Sequence, residues 1–285
     1  MSSVDLLSPA GADPSSVELP ALPGRYRLAF QDLKEGLTRW ELWGTMGWQD
    51  IRQRYRRSTL GPFWLTISMA VMVGSLGFLY ASLFRARIDS YLPYLCLGIL
   101  FWGFISQMVT DGCLCLTSCD NLIKQIRLPV SIHIFRIIWR NLIILLHNFV
   151  VYIVVALIFS VWPGWNGLFL IPGLILVVLN GIWLALLLGM LTARFRDVGQ
   201  LVTSFLQVVF FTSPVMWNPD NLPASKQALV LLNPVTHLLA VTRGPLLGLS
   251  PSLENWTVSI GITVVGWIVT FLFLARFRNR VAYWL

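Results

Sequence analysis

The chain has 285 residues, of which 56% are apolar and only 12% charged. Charged residues reach about half the ~25% of an ordinary soluble domain, too few to cover a water-exposed surface, so composition excludes a soluble protein and indicates a polytopic membrane protein. Lys and Arg outnumber Asp and Glu by 21 to 13, a net charge of +8, but these charges flank apolar runs, which ties the excess to membrane topology rather than to nucleic acid.

Residues 1–24 carry Pro9, Pro14, Pro20 and Pro23 and no apolar run. They lack the basic start and apolar stretch of a signal peptide and read as a disordered cytoplasmic tail. In residues 25–58, Phe30, Leu33, Leu37, Trp40, Trp48, Ile51 and Tyr55 recur at 3–4 spacing, with Gly44 in the gap. This predicts an amphipathic helix lying in the headgroup layer, with a basic end from Arg52 to Arg57. Gly44 and Gly47 are the places where it would break.

Six segments then approach the ~20 apolar residues needed to cross a bilayer: Gly61–Phe84, Tyr91–Thr110, Asn141–Val161, Gly167–Ala193, the short Leu201–Trp217, and Trp256–Leu274. None contains Asp, Glu, Lys or Arg. With the N-terminus inside, seventeen basic residues face the cytoplasm and four, Arg85, Arg87, Lys226 and Arg243, face out. That asymmetry predicts cytoplasmic termini. The connection Asn218–Glu254 is too apolar for an exposed loop and is broken by Pro219, Pro223, Pro234, Pro245 and Pro251. It predicts external re-entrant or interfacial half-helices, since irregular backbone at membrane depth must be buried or line a wet cavity.

Several chemistries lack their residues. Neither Lys34, Lys124 nor Lys226 follows a glycine, so no Walker A phosphate loop is present. The spans lack the ionisable groups usual in ion-coupled carriers. Gln107, His147, Asn148, Asn180 and Gln207 are their strongly polar groups, read first as bonds between helices. Cys96, Cys113, Cys115 and Cys119 do not match usual zinc spacing, and no metal site is predicted. Asp111, Asp120 and Asp197 are the acidic candidates for a membrane enzyme, but no paired-acid or H-x-x-x-H motif accompanies them. A transport topology without an energy source calls for a partner, and the cytoplasmic stretch Asp111–Arg140 is the docking surface.

These residues carry a resemblance. Asp50-Ile-Arg-Gln-Arg-Tyr-Arg-Arg-Ser-Thr-Leu-Gly-Pro-Phe-Trp64 is similar to the R-D-I-x-x-R-Y-x-x-S-x-L-G-x-x-W leading into the first span of type-2 ABC exporter permeases of the polysaccharide branch, with Gln49 where Arg is usual. Asn121-Leu-Ile-Lys-Gln-Ile-Arg-Leu-Pro129 resembles N-L-I-x-K-x-x-F-P, with Lys124 one place early and Leu128 for Phe. Ala193-Arg-Phe-Arg-Asp-Val198, Thr212-Ser-Pro-Val215, and Leu232-Asn-Pro-Val235 followed by Arg243 resemble three later motifs in the same order.

The resemblance implies an all-α membrane protein with six transmembrane helices, an interfacial gate helix at 25–58 and a type-2 ABC transmembrane domain at 59–285. It implies a homodimer in a bacterial inner membrane, driven by two P-loop ATPase subunits that carry ATP and Mg, with no cofactor in this chain and no catalytic residue. Asn121, Leu122, Ile123, Lys124, Gln125, Arg127 and Pro129 would couple to the ATPase. Trp40, Trp48, Arg52, Arg54, Tyr55 and Arg57 would form a lateral gate for a lipid-linked glycan of O-antigen, capsule or teichoic acid type. Arg194, Arg196 and Asp197 form the cytoplasmic motif after span four, and Ser213, Pro214, Asn233, Pro234 and Arg243 belong to the external gate. A type-2 exporter of lipids or drugs is the alternative; a membrane-embedded glycan-modifying enzyme or a non-ABC channel is the third reading.

Overall fold

A computed structural model describes residues 24–54, 56, 61, 63–126, 128–219, 222–223, 227 and 230–285. The described elements are helices joined by turns. Five helices are long and apolar enough to cross a membrane: α3 Phe63–Leu83, α4 Ile88–Cys115, α6 Val130–Ile158, α7 Leu170–Arg194 and α10 Leu253–Trp284. Two helices precede them, α1 Arg25–Thr38 and α2 Trp40–Arg54. The short α5 Asp120–Gln125 stands between α4 and α6. Between α7 and α10 lie α8 Asp197–Thr212 and α9 Pro234–Leu246.

Helix α4 is the centre of the bundle. Of its most apolar stretch 72% is buried, against 17% for α3, which leaves α3 at the periphery. α4 packs on α6 and α7 along most of its length. At the α4–α7 crossing, a Cβ on Gly112 would stand 2.6 Å from the Cα of Ala185. Small residues there allow backbone approach, which gives membrane helices dispersion contacts where no hydrophobic drive exists.

Three helices differ from the expectations. The predicted 25–58 helix is two helices, and it breaks at Arg39 (φ −84°, ψ 45°) rather than at Gly44 or Gly47. Gly47 serves the packing of α2: a Cβ there would meet the Arg136 carbonyl at 3.0 Å and the Trp139 ring at 3.1 Å. The predicted span Leu201–Trp217 is shifted: α8 starts at Asp197 and ends at Thr212. Its 16 residues span about 24 Å, short of the ~30 Å hydrocarbon layer. It stops because Ser213 turns extended (φ −93°, ψ 148°) ahead of Pro214, which restricts the preceding residue and offers no N–H. Of the half-helices expected in 218–254, one is described, α9; residues 220–221, 224–226 and 228–229 lie outside the described residues.

Helix α1 is fastened by one carboxylate. Asp32 is fully buried and accepts from the Val130 and Ser131 amides at 3.1 and 3.0 Å. It also accepts from Arg278 Nε of α10 at 2.8 Å. It thus caps the start of α6, where amides have no intrahelical partner and the dipole favours negative charge. Ser131 Oγ donates back to the Asp32 carbonyl at 2.7 Å.

Asp32→Ala should destabilise the chain by about 2–4 kcal/mol, through the lost cap and the stranded Arg278. Thermal unfolding in detergent would read this, and Asp32→Asn, which keeps one acceptor, should lose less.

Candidate functional site

The same end of α6 carries a second set of charges. Arg136 Nε donates to Asp50 Oδ2 of α2 at 2.8 Å, and Arg136 Nη2 donates to Asp50 Oδ1. Arg140, one turn on, donates to Asp50 at 3.3 Å and to Asp111 of α4 at 2.6 Å. Asp111 also accepts from Asn141 at 2.9 Å and from Gln107 at 2.8 Å. The side chains of Asp50 and Asp111 are each 12% exposed, and that of Arg140 17%. In so dry a setting unpaired charges would be heavily penalised, and fork-shaped guanidinium pairing makes the arrangement tenable. The result is one connected lattice across α2, α6 and α4. Trp43 adds ring contacts to Phe135 and Trp139 of α6 at 6.1 and 5.9 Å between centroids.

Beside the lattice opens a cavity of about 760 Å³ between α3, α4, α6 and α8, with Arg54 among its lining residues. Its aromatic wall includes Trp102 and Phe210, 5.6 Å apart between centroids, and Phe211. Its polar lining includes Gln107, Asn141, Asn148 and Gln207. Asn141 Nδ2 donates to Asp111 and to the Ile137 carbonyl at 2.9 Å each. Both partners are acceptors, which fixes the orientation of the amide. The Oδ1 atoms of Asn141 and Asn148 have no donor among the described residues.

At the far end of the bundle, the turn after α8 is clamped from two sides. Tyr91 of α4 donates to the Met216 carbonyl at 2.7 Å, and Tyr94 donates to the Trp217 carbonyl at 2.9 Å. Arg243 of α9 is buried, donates to the Pro214 carbonyl at 2.7 Å, and stacks 3.8 Å from the Tyr94 ring centroid. Asn233 accepts from the Val235 amide at 3.0 Å as the cap of α9, with Pro234 at its first position, the arrangement Asn-Pro favours at a helix start. Its amide nitrogen donates to Ser213 Oγ at 2.8 Å. A side chain on Gly98 of α4 would collide with the Val215 carbonyl, so only glycine admits the turn there.

The predicted site residues therefore fall into separate groups. Asn121, Leu122, Ile123, Lys124 and Gln125 form α5, with Asn121, Lys124 and Gln125 exposed. Pro129 is buried as the residue before α6, and Arg127 lies outside the described residues. The supposed loop Asp111–Arg140 is largely helical, and Arg136 and Arg140 belong to α6. Trp40, Trp48, Arg52 and Arg54 are exposed on α2, while Tyr55 and Arg57 lie outside the described residues. Phe30, Leu37, Trp40 and Trp48 point away from the bundle, whereas Ile51 is buried. Arg194 ends α7 and stacks on Phe195 and Trp284; Asp197 opens α8, where its charge suits the dipole. Arg196 is exposed between them. Ser213, Pro214, Asn233, Pro234 and Arg243 converge as described.

Of the intramembrane polar groups, Asn180 bridges α7 to Thr263 of α10 at 2.7 Å. Gln107 and the His147 ring instead bond within their own helices. Asp111 and Asp120, weighed as enzyme acids, pair with Arg140 and Lys124. Sequence reasoning missed the anchoring role of Asp32 and Asp50. The available signal was their scarcity: 13 acidic residues in all, with these two inside an otherwise amphipathic segment.

Residues 41–247 match the family of ABC-2 type transporters. The chain is 23% identical over 194 residues to the O-antigen export system permease protein RfbA of Myxococcus xanthus, covering 67% of this chain and 74% of that protein. Two proteins of the same description from Klebsiella pneumoniae are 21% and 22% identical over 236 and 237 residues, covering 82% of this chain and 90% of each relative.

A double-mutant cycle of Asp50→Ala and Arg136→Ala should return a coupling of about 1–3 kcal/mol in detergent unfolding. Additive losses would show that the Asp50–Arg136 pair does not help to hold α2.

Proposed function

The chain belongs to the ABC-2 type transporter family, and from that premise we propose that it is the permease subunit of an exporter for a lipid-linked polysaccharide. The cavity between α3, α4, α6 and α8 carries this reading: aromatic walls and neutral amides suit sugar rings and hydroxyls, and among the described residues its only charged lining residue is Arg54. The relatives named as O-antigen export permeases support the same substrate class.

In this reading two copies pair, each contributing six crossings, with α8 and the turn after it making the fifth. The chain sits in the bacterial inner membrane with the α5 end and both termini in the cytoplasm. The paired ATPase subunits hold ATP and Mg and perform hydrolysis. The exposed side of α5 receives their motion. Pro129 passes it to α6, whose first turns are fastened to α1 by Asp32 and to α2 by Asp50. Movement of α5 therefore shifts the amphipathic pair at which a lipid-linked glycan arrives. Arg52 and Arg54 attract its diphosphate with planar donor forks. The turn clamped by Arg243 closes the opposite end.

Purification from the native host in mild detergent should bring down a stoichiometric P-loop ATPase; its absence under several detergents would remove the exporter reading. Lys124→Pro, at an exposed position of α5, should abolish polymer export with the unfolding temperature of the chain unchanged, and full export in that variant would contradict coupling through α5. Arg54→Glu should lower surface polymer about tenfold or more, the loss of one charge-assisted contact plus repulsion. Normal surface polymer in that variant would separate Arg54 from substrate capture.

A further inference from the structure

Helix α8 has a cavity on each side. Opposite the one already described is a second, of about 710 Å³, between α4, α7, α8, α9 and α10. Trp102 and Leu206 line both. No residue of α8 is buried within one chain, so the helix is a partition between two spaces.

The walls of the two cavities differ in chemistry. In the second, the side-chain amides and hydroxyl are already committed. Asn180 donates to Leu176 O and Thr263 and accepts from Trp183 Nε1. Thr212 donates to its own helix. Asn233 caps α9 and bonds Ser213. A sugar or a charged headgroup placed there would lose its hydration for few new partners. Met108, Leu184, Phe205 and Val209 supply apolar surface instead. The first cavity carries more polar side chains, with Gln107, Asn148 and Gln207 in its lining.

Length points to the same occupant. Along α8 the second cavity runs from Val202 to Thr212, about 15 Å at 1.5 Å per residue. That is half of the ~30 Å hydrocarbon layer, the depth of one leaflet. We propose that this slot holds one acyl chain of a bilayer phospholipid from the leaflet on the α9 side, and that the chain braces α8 from behind. The inference needs only that the protein spans a membrane, and it stands or falls separately from the identity of the transported substrate.

The test uses the full chain in phosphatidylethanolamine–phosphatidylglycerol vesicles containing a phospholipid with a diazirine in its acyl chain. After illumination, adducts are mapped by mass spectrometry. Adducts are expected on Met108, Leu184 or Val209, beside those on the outward-facing Val264 and Val265. Val209→Trp, which fills the slot, should remove the slot adducts and leave the outward ones as a control for folding and insertion. Leu184→Phe, a smaller change, serves the same purpose if the tryptophan variant does not insert. Labelling of Val264 and Val265 alone in the unaltered chain would overturn the proposal. So would slot adducts that persist in both filled variants. Crosslinks between two protein copies through slot residues, in place of lipid adducts, would give the slot to a second copy and equally overturn it.

Discussion

Three carboxylates grip the first turns of α6, and the arrangement of the remaining helices at that end follows from them. Arg136 and Arg140 lie on a helix apolar enough to cross the membrane. Charges so placed require partners at close range. Asp50 and Asp111 supply them, and Asp32 supplies the missing acceptor for the helix start. Because Asp32 belongs to α1, Asp50 to α2 and Asp111 to α4, meeting the needs of α6 places all three helices. The aromatic and small-residue contacts of α2 then fill the remaining space. The short α5 ends at Gln125, and Pro129 stands as the residue before α6, so α5 lies four residues ahead of this bonded helix start.

The other end solves a different problem. Arg243 is buried beside a turn with no carboxylate paired to it among the described residues. It uses a backbone carbonyl and the face of Tyr94 instead, where a planar, weakly hydrated guanidinium can satisfy two kinds of partner at once. The peptide oxygens of residues 214, 216 and 217 are each taken by Arg243 or a tyrosine of α4. Irregular backbone deep in the bundle is therefore permitted, as membrane depth demands.

The long helices were legible because hydropathy is summed over twenty residues and tolerates local error. Their ends were not. Arg136 and Arg140 read as loop charges because an arginine beside an apolar run marks topology more often than it marks a bonded helix turn. Arg243 was counted as an outward charge by the same reasoning, yet it is buried. The break at Arg39 escaped because composition flags glycine, whereas here the chain turns so that Ala29, Asp32 and Gly36 on one helix and Gly47 and Ile51 on the next both meet the bundle. The apolar stripe identified by periodicity is real, but Phe30, Leu37, Trp40 and Trp48 face outward; periodicity gives a face without saying whether lipid or protein covers it. The Asn-Pro start of α9 was legible as a motif, and its physical reason, a cap and a preset first turn, emerges only from the geometry.

Helix α8 shows how these constraints combine. Extended residues stand near both of its ends, Phe195 two residues before its start and Ser213 immediately after its last residue. The second of these ends is fixed by Asn233, Arg243 and the tyrosines of α4. Between them no residue of the helix is fully buried within one chain, and the helix borders cavities on both faces. Packed cores resist continuous deformation because every displacement opens a void or forces an overlap. A helix fastened at its end and loose along its length escapes that penalty, since space lost on one side is gained on the other. The contacts of α8 with α4 and α7, the Phe210 ring on Trp102 among them, leave space on both faces, so whatever fills the two cavities adds to the packing that positions the helix.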